Sequence, residues 1–199
     1  MHKKYHITLG LFFLFSLPSK AQQFIESWDG TPNLERHQVT FNFFVPGIRY
    51  ELGLFKNVSV SNSFSPGLAY YQEGYTFGFV WHTRVRYYHN FKTRYDMNKK
   101  VIGNSANYIA PARSVFWQSL QISNNLDGQK NFSLAFFGLL YGLQRTNEKG
   151  FNTTLEFGFG YYDGFGVPSG YGPLFNFTFG WVATNRKSRK TVGEPVLLD

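Results

Sequence analysis

The sequence predicts an all-β protein: an antiparallel transmembrane β-barrel with short turns on one side and longer loops on the other. Three observations predict it. First, apolar and polar residues alternate with a period of two along most of the chain. In "FNTTLEFGFGYY" (151–162), Phe151, Leu155, Phe157, Phe159 and Tyr161 share one face, with Asn152, Thr154, Glu156, Gly158 and Gly160 on the other. Second, the polar positions are mostly Ser, Thr, Asn and Gly punctuated by arginine, a composition suited to a crowded polar interior with lipid outside. Third, nothing in the chain reads as a long amphipathic helix.

The elements follow in order. "MHKKYHITLGLFFLFSLPSKAQQ" places Lys3 and Lys4 before an apolar run and small residues at Ser19 and Ala21, the pattern of a secretory signal peptide over 1–21. Its run of about ten apolar residues is short of the roughly 20 that a membrane-spanning helix requires. The stretch 22–37 has no period and reads as an irregular lead-in, 38–183 as the barrel, and 184–199 as a basic tail.

Within the barrel, Val39, Phe41, Phe43 and Val45 point one way, and then the parity flips at Pro46-Gly47, where Ile48, Tyr50, Leu52 and Leu54 oppose Arg49 and Glu51. A turn there pairs Val45 with Ile48 and gives eight strands; a bulge within one long strand leaves seven. Segment 58–71 sets Val58, Val60, Phe64 and Leu68 against Ser59, Ser61, Ser63 and Ser65. Segment 77–91 sends Phe77, Phe79, Trp81, Val85 and Tyr87 outward, and His82, Arg84, Arg86, Tyr88 and Asn90 inward. Segment 108–123 carries Arg113 on its expected inner face, and segment 132–145 shifts parity at Phe136-Phe137, which suggests a bulge. The last segment, 173–182, alternates Phe175, Phe177, Phe179 and Trp181 with Asn176, Thr178 and Gly180. "FKN" and "TNEKG" read as short turns on the periplasmic side, and stretches near 124–131 and 163–172 as longer extracellular loops; 92–107 is an over-long turn on the short side.

Two groups of candidate residues result. Arg49, Glu51, Arg84, Arg86, Arg113 and Glu156 are expected to form an inner charge network that holds the barrel rigid and closed. Trp81, Tyr87, Tyr161 and Trp181 are expected near strand ends, as an aromatic girdle at the membrane interfaces.

Composition limits the alternatives. Aromatic residues make up 20% and charged residues 16% of 199 residues, and no cysteine is present to form a disulfide or carry an acyl anchor. The formal charge of +8 falls to about +5 without Lys3, Lys4 and Lys20, and its surplus lies in "KTRYDMNKK" (92–100) and "NRKSRK" (185–190). In an exported protein such patches suit solvated turns or anionic lipid, and nucleic acid is excluded as a partner.

"RVRYYHNFKTRYDMNKK...NSANY", followed by "GLQR" and "GFGYY", resembles a set of uncharacterised small outer-membrane β-barrel proteins of Gram-negative bacteria, similar in architecture to the OmpA and OmpX barrels. The resemblance covers roughly 38–183; Ala106 stands where those proteins carry glycine, and a tail of about sixteen residues follows the final strand. It implies a fold and a location in the cell outer membrane, and no activity.

The expected function is therefore non-enzymatic: a porin-like but closed barrel acting as a structural or surface interaction protein. Outer-membrane lipid and lipopolysaccharide are its expected surroundings, with an extracellular or periplasmic protein as a further partner. Two rivals stand beside it. A lipid A-modifying barrel enzyme would draw on His82 or His89, Ser119 and Asp163, but no spacing ties these together, so no catalytic residue is assigned. A soluble periplasmic β-sandwich would bury the aromatic face and turn the arginines to water. The histidines form no metal-binding pattern, the glycines around 158–164 precede no helix that could cradle a phosphate, and no cofactor is expected.

Overall fold

Strictly alternating side chains cannot all be buried by one flat sheet, and here the sheet closes on itself. The computed structural model describes residues 33–71, 74–126, 133–165 and 167–184; the leader over 1–21 and the tail from 185 onward lie outside the described residues. Eight strands follow one another: β1 (His37–Asn42), β2 (Gly47–Gly53), β3 (Val58–Tyr71), β4 (Gly74–Tyr87), β5 (Asn107–Leu126), β6 (Ser133–Thr146), β7 (Phe151–Phe165) and β8 (Gly170–Val182). A short helix α1 (Phe91–Asp96) and a 3-10 turn (Ile102–Asn104) stand between β4 and β5. Every strand pairs antiparallel with its chain neighbours, and β8 returns to β1 with Thr40 opposite Val182, Phe41 opposite Trp181 and Asn42 opposite Gly180. The result is a closed, barrel-like ring with no edge strand.

Pro46-Gly47 belongs to a hairpin. Asn42 pairs with Gly47 and Phe41 with Ile48 across residues 43–46, so the parity flip is a turn and the strand count is eight. The partner of Ile48 is thus Phe41 and not Val45, because β1 already ends at Asn42. No bulge occurs at Phe136-Phe137: β6 pairs in unbroken register with β5 and β7, and Phe136 is buried inside while Phe137 is exposed outside. The irregular register lies between β4 and β5, with shifts between Phe77 and Gly78 and between Gly78 and Val80. Extra residues of β5 are taken up there, and bulges of this kind add bend and twist to a closing sheet.

The interior has three layers. At one end lie Ala112, Phe136 and Leu140, with Tyr162 and Leu174 packed against them. The middle is polar and charged. The other end is closed by the chain between β4 and β5: Phe91, Val101 and Ala106 pack with Leu34, Tyr88, Tyr108 and Ala110. Two hydrogen bonds tie Glu35 of the lead-in to this cap, since its amide donates to Asn104 Oδ1 at 2.7 Å and the Gly103 amide donates to Glu35 Oε1 at 2.7 Å. Gly103 takes a left-handed backbone (φ 59°) against the Thr146 side chain, a combination that admits no Cβ.

Glycines on the inner face give the rings their room. Gly142 of β6 faces Tyr108 of β5, and the phenol occupies the space that a Cβ would need. The Gly142→Val variant therefore displaces Tyr108, and overpacking of this kind costs about 1–3 kcal/mol. Its urea unfolding midpoint should fall clearly below that of the parent; an unchanged midpoint would show that Tyr108 is not held there.

Candidate functional site

The central feature of the interior is a guanidinium between two carboxylates. Even-numbered positions of β4 and β7 face inward, as do odd-numbered positions of β2, so Arg86, Glu156 and Glu51 meet in the lumen. Arg86 Nη1 donates to Glu51 Oε2 at 2.9 Å and to Gln144 Oε1 at 2.9 Å, while its Nη2 donates to Glu156 Oε1 at 3.2 Å. Its guanidinium carbon also lies 4.6 Å from the centre of the Tyr108 ring. One side chain of β4 thereby bridges to β2, β6 and β7 and spans the ring.

Both carboxylates are saturated. Glu51 accepts from Arg86, Ser59 (2.8 Å), Tyr88 (2.7 Å) and Asn104 (2.9 Å). Glu156 accepts from Arg86, Tyr108 (2.8 Å), Asn176 (2.9 Å) and Arg84 Nε (3.4 Å). A carboxylate has about four lone-pair sites, so neither has capacity left for an incoming group. At 0% and 2% exposure, both are also sealed from solvent.

The remaining expected members divide. Arg49 is buried but lies on neutral acceptors: Thr154 Oγ1 at 2.9 Å, Asn152 Oδ1 at 2.6 Å and Thr40 Oγ1 at 3.5 Å. Arg84 adds bonds to the Arg113 carbonyl and Ser114 Oγ, each at 3.1 Å. Arg113 is a correction. Its side chain is exposed on the outer face, 5.4 Å from the Phe137 ring centre, because the inward positions of β5 are Tyr108, Ala110, Ala112, Ser114 and Phe116. The cluster is thus Arg84, Arg86, Glu51 and Glu156, with Arg49 alongside.

The four expected girdle residues are all exposed on the outer face. Tyr87 and Trp181 lie at strand ends with their neighbours β5 and β1, and Tyr161 lies toward the opposite end of β7. Trp81 departs from the expectation: it sits midway along β4, against Phe64, with its Nε1 donating to Asn62 Oδ1 at 3.3 Å. Trp181 Nε1 donates to the Lys149 carbonyl at 3.1 Å and so fastens the β6–β7 turn.

Neutral side chains complete the cluster: parity placed Ser59, Tyr88, Gln144 and Asn176 on the polar inner faces without assigning them to the charges, and Asn104 and Tyr108 carried no such signal. Ser114 was missed too: His82 Nδ1 lies 2.8 Å from its Oγ, with Arg84 Nη2 3.2 Å from the same ring nitrogen. Of the other residues considered for catalysis, Asp163 is exposed and accepts from Ser169, His89 is exposed beside Tyr141, and the Ser119 side chain lies outside the described residues. Among the described residues no group of three His, Asp or Glu side chains could hold a metal ion.

Removing one carboxylate strands a buried guanidinium, which costs about 3–5 kcal/mol. Glu51→Ala and Glu156→Ala should each lower unfolding stability by that order, measured by urea titration of the refolded protein. Arg113→Ala, on the outer face, should shift it by less than about 1 kcal/mol. Equal effects at all three positions would refute the assignment of faces. No protein-family model, curated protein or solved structure matches the chain.

Proposed function

We propose that the chain is a non-enzymatic integral β-barrel of the outer membrane, held closed by its inner charge cluster, and that it serves as a structural or surface interaction protein. The observation that carries this reading is the inversion of burial. Phe157, Phe159 and Phe175 are 64%, 59% and 69% exposed on the outer face, while Glu51 and Glu156 are sealed inside. Exposed apolar residues continue around the ring through Phe41, Ile48, Leu68, Val85, Ile109 and Leu139. A continuous apolar belt of this extent is unstable in water and matched to hydrocarbon. The strands supply the crossing, since each pairs antiparallel with both of its neighbours around the closed ring. The signal peptide expected over 1–21 supplies the export that the location requires.

In this reading, the ends of β1 and β8, the cap and the β6–β7 turn face the periplasm. The contact surface for lipopolysaccharide or a protein lies at the opposite end. The cluster blocks the lumen and supports a closed barrel over a diffusion pore.

Fractionation tests the reading directly. The expressed protein should be recovered in outer membranes and should migrate differently on a gel with and without boiling. Recovery in the soluble periplasm with no heat-dependent shift would overturn it. A variant carrying His82→Ala and His89→Ala should leave the lipid A profile of the cells unchanged; an altered profile would instead favour a lipid-modifying enzyme.

A further inference from the structure

A second polar feature lies outside the lumen, at the capped end. Arg94 of α1, Lys99 and Lys100 beyond it, and Arg145 of β6 line a cleft of about 540 Å³ that runs onto Phe151 and Phe179 of the outer face. The two rings are stacked, 5.9 Å apart with planes at 1°, and both are exposed. The cleft therefore joins a cationic wall to the edge of the apolar belt.

The cations are positioned but largely uncompensated. Arg94 is held by the carbonyls of Ser105 (2.8 Å) and Lys100 (3.0 Å), and Arg145 by the Gln144 carbonyl (2.7 Å) and Asn107 Oδ1 (2.6 Å). All these acceptors are neutral. Lys100 pairs with Glu148 at 2.8 Å, both largely exposed, and Lys99 forms no ion pair among the described residues. Burial, and then the nearby charge of Arg145, push the pKa of Arg94 below its ordinary value, as expected where like charges gather without a counter-charge.

We propose that this cleft binds the headgroup phosphate of an anionic phospholipid, with the acyl chains lying over Phe151 and Phe179. Fixed guanidinium groups suit a phosphate, and juxtamembrane basic sites recognise anionic headgroups. The stacked phenylalanines select a lipid over a free anion, because a free phosphate makes no use of an apolar wall. The proposal rests on the membrane reading and places the lipid in the leaflet nearest the capped end.

The test uses the full-length folded protein in a zwitterionic detergent, with bound lipid counted by native mass spectrometry. The heat-dependent gel shift is recorded on the same sample. Phosphatidylglycerol should be retained at least about tenfold more than phosphatidylcholine, and millimolar inorganic phosphate should not displace it. The variant Lys99→Ala/Lys100→Ala, and separately Arg145→Gln, should keep the heat shift and lose most of that preference. Equal retention of the two lipids by the parent, or an undiminished preference in both variants, would overturn the proposal. Full displacement by phosphate would make the cleft a free-anion site and overturn it as well. Absence of the heat shift in the parent would reject the membrane reading itself, a separate failure.

Discussion

A charge buried in a protein interior must be paired and hydrogen-bonded or it destabilises the fold, and the ion pairs of Arg86 with Glu51 and Glu156 set the terms for this molecule. Donors and acceptors of this cluster together come from β2 through β8 and from the cap, so it is complete only when the strands are assembled around the ring. Where these groups occupy the middle of the inside, alternation sends the large apolar side chains of the same strands outward, and only the layers at either end hold buried rings. The inverted surface is therefore a consequence of where the charges sit, and it carries the proposal that lipid is the solvent.

Space is the second constraint. An eight-stranded ring has an interior that side chains just fill. Tyr108 and Phe136 enter it because Gly142 and Gly160 leave room on the neighbouring strands and Gly138 leaves room beside Phe136 on its own strand. Small residues on β3, Ser59 and Ser61, fit beside the carboxylates for the same reason. The cap uses a different device: a left-handed turn at Gly103 and Asn104 brings Asn104 Nδ2 back onto Glu51, so the connection between β4 and β5 is coupled to the charge cluster.

Period-two alternation made the strands and five of the six inner charges legible, since Arg49, Glu51, Arg84, Arg86 and Glu156 each oppose a clear run of apolar residues. It failed where the alternation is weak. In β5, small alanines on the inner face and Pro111 on the outer left Arg113 without a clear parity, and the strand's extra residues opposite Phe79 added to the ambiguity. Phe136-Phe137 looked like a bulge because a phenylalanine inside the ring contradicts a purely polar lumen, yet the apolar layer around Leu140 accommodates it. The cap could not be read at all. Its hydrogen bonds join Glu35 to Asn104 and Thr146 to the Gly103 carbonyl, residues far apart in the chain that local patterning does not connect.

The central claim is that the face opposite Glu156 meets lipid. Because the chain has no cysteine, single cysteines can be placed at Phe157, Phe159 and Phe175, labelled with an environment-sensitive fluorophore, and examined after refolding into vesicles. The account predicts emission typical of hydrocarbon, quenched by a quencher attached to lipid acyl chains and indifferent to aqueous iodide. Quenching by iodide at all three positions, with none from the lipid-borne quencher, would place that face in water and contradict the account.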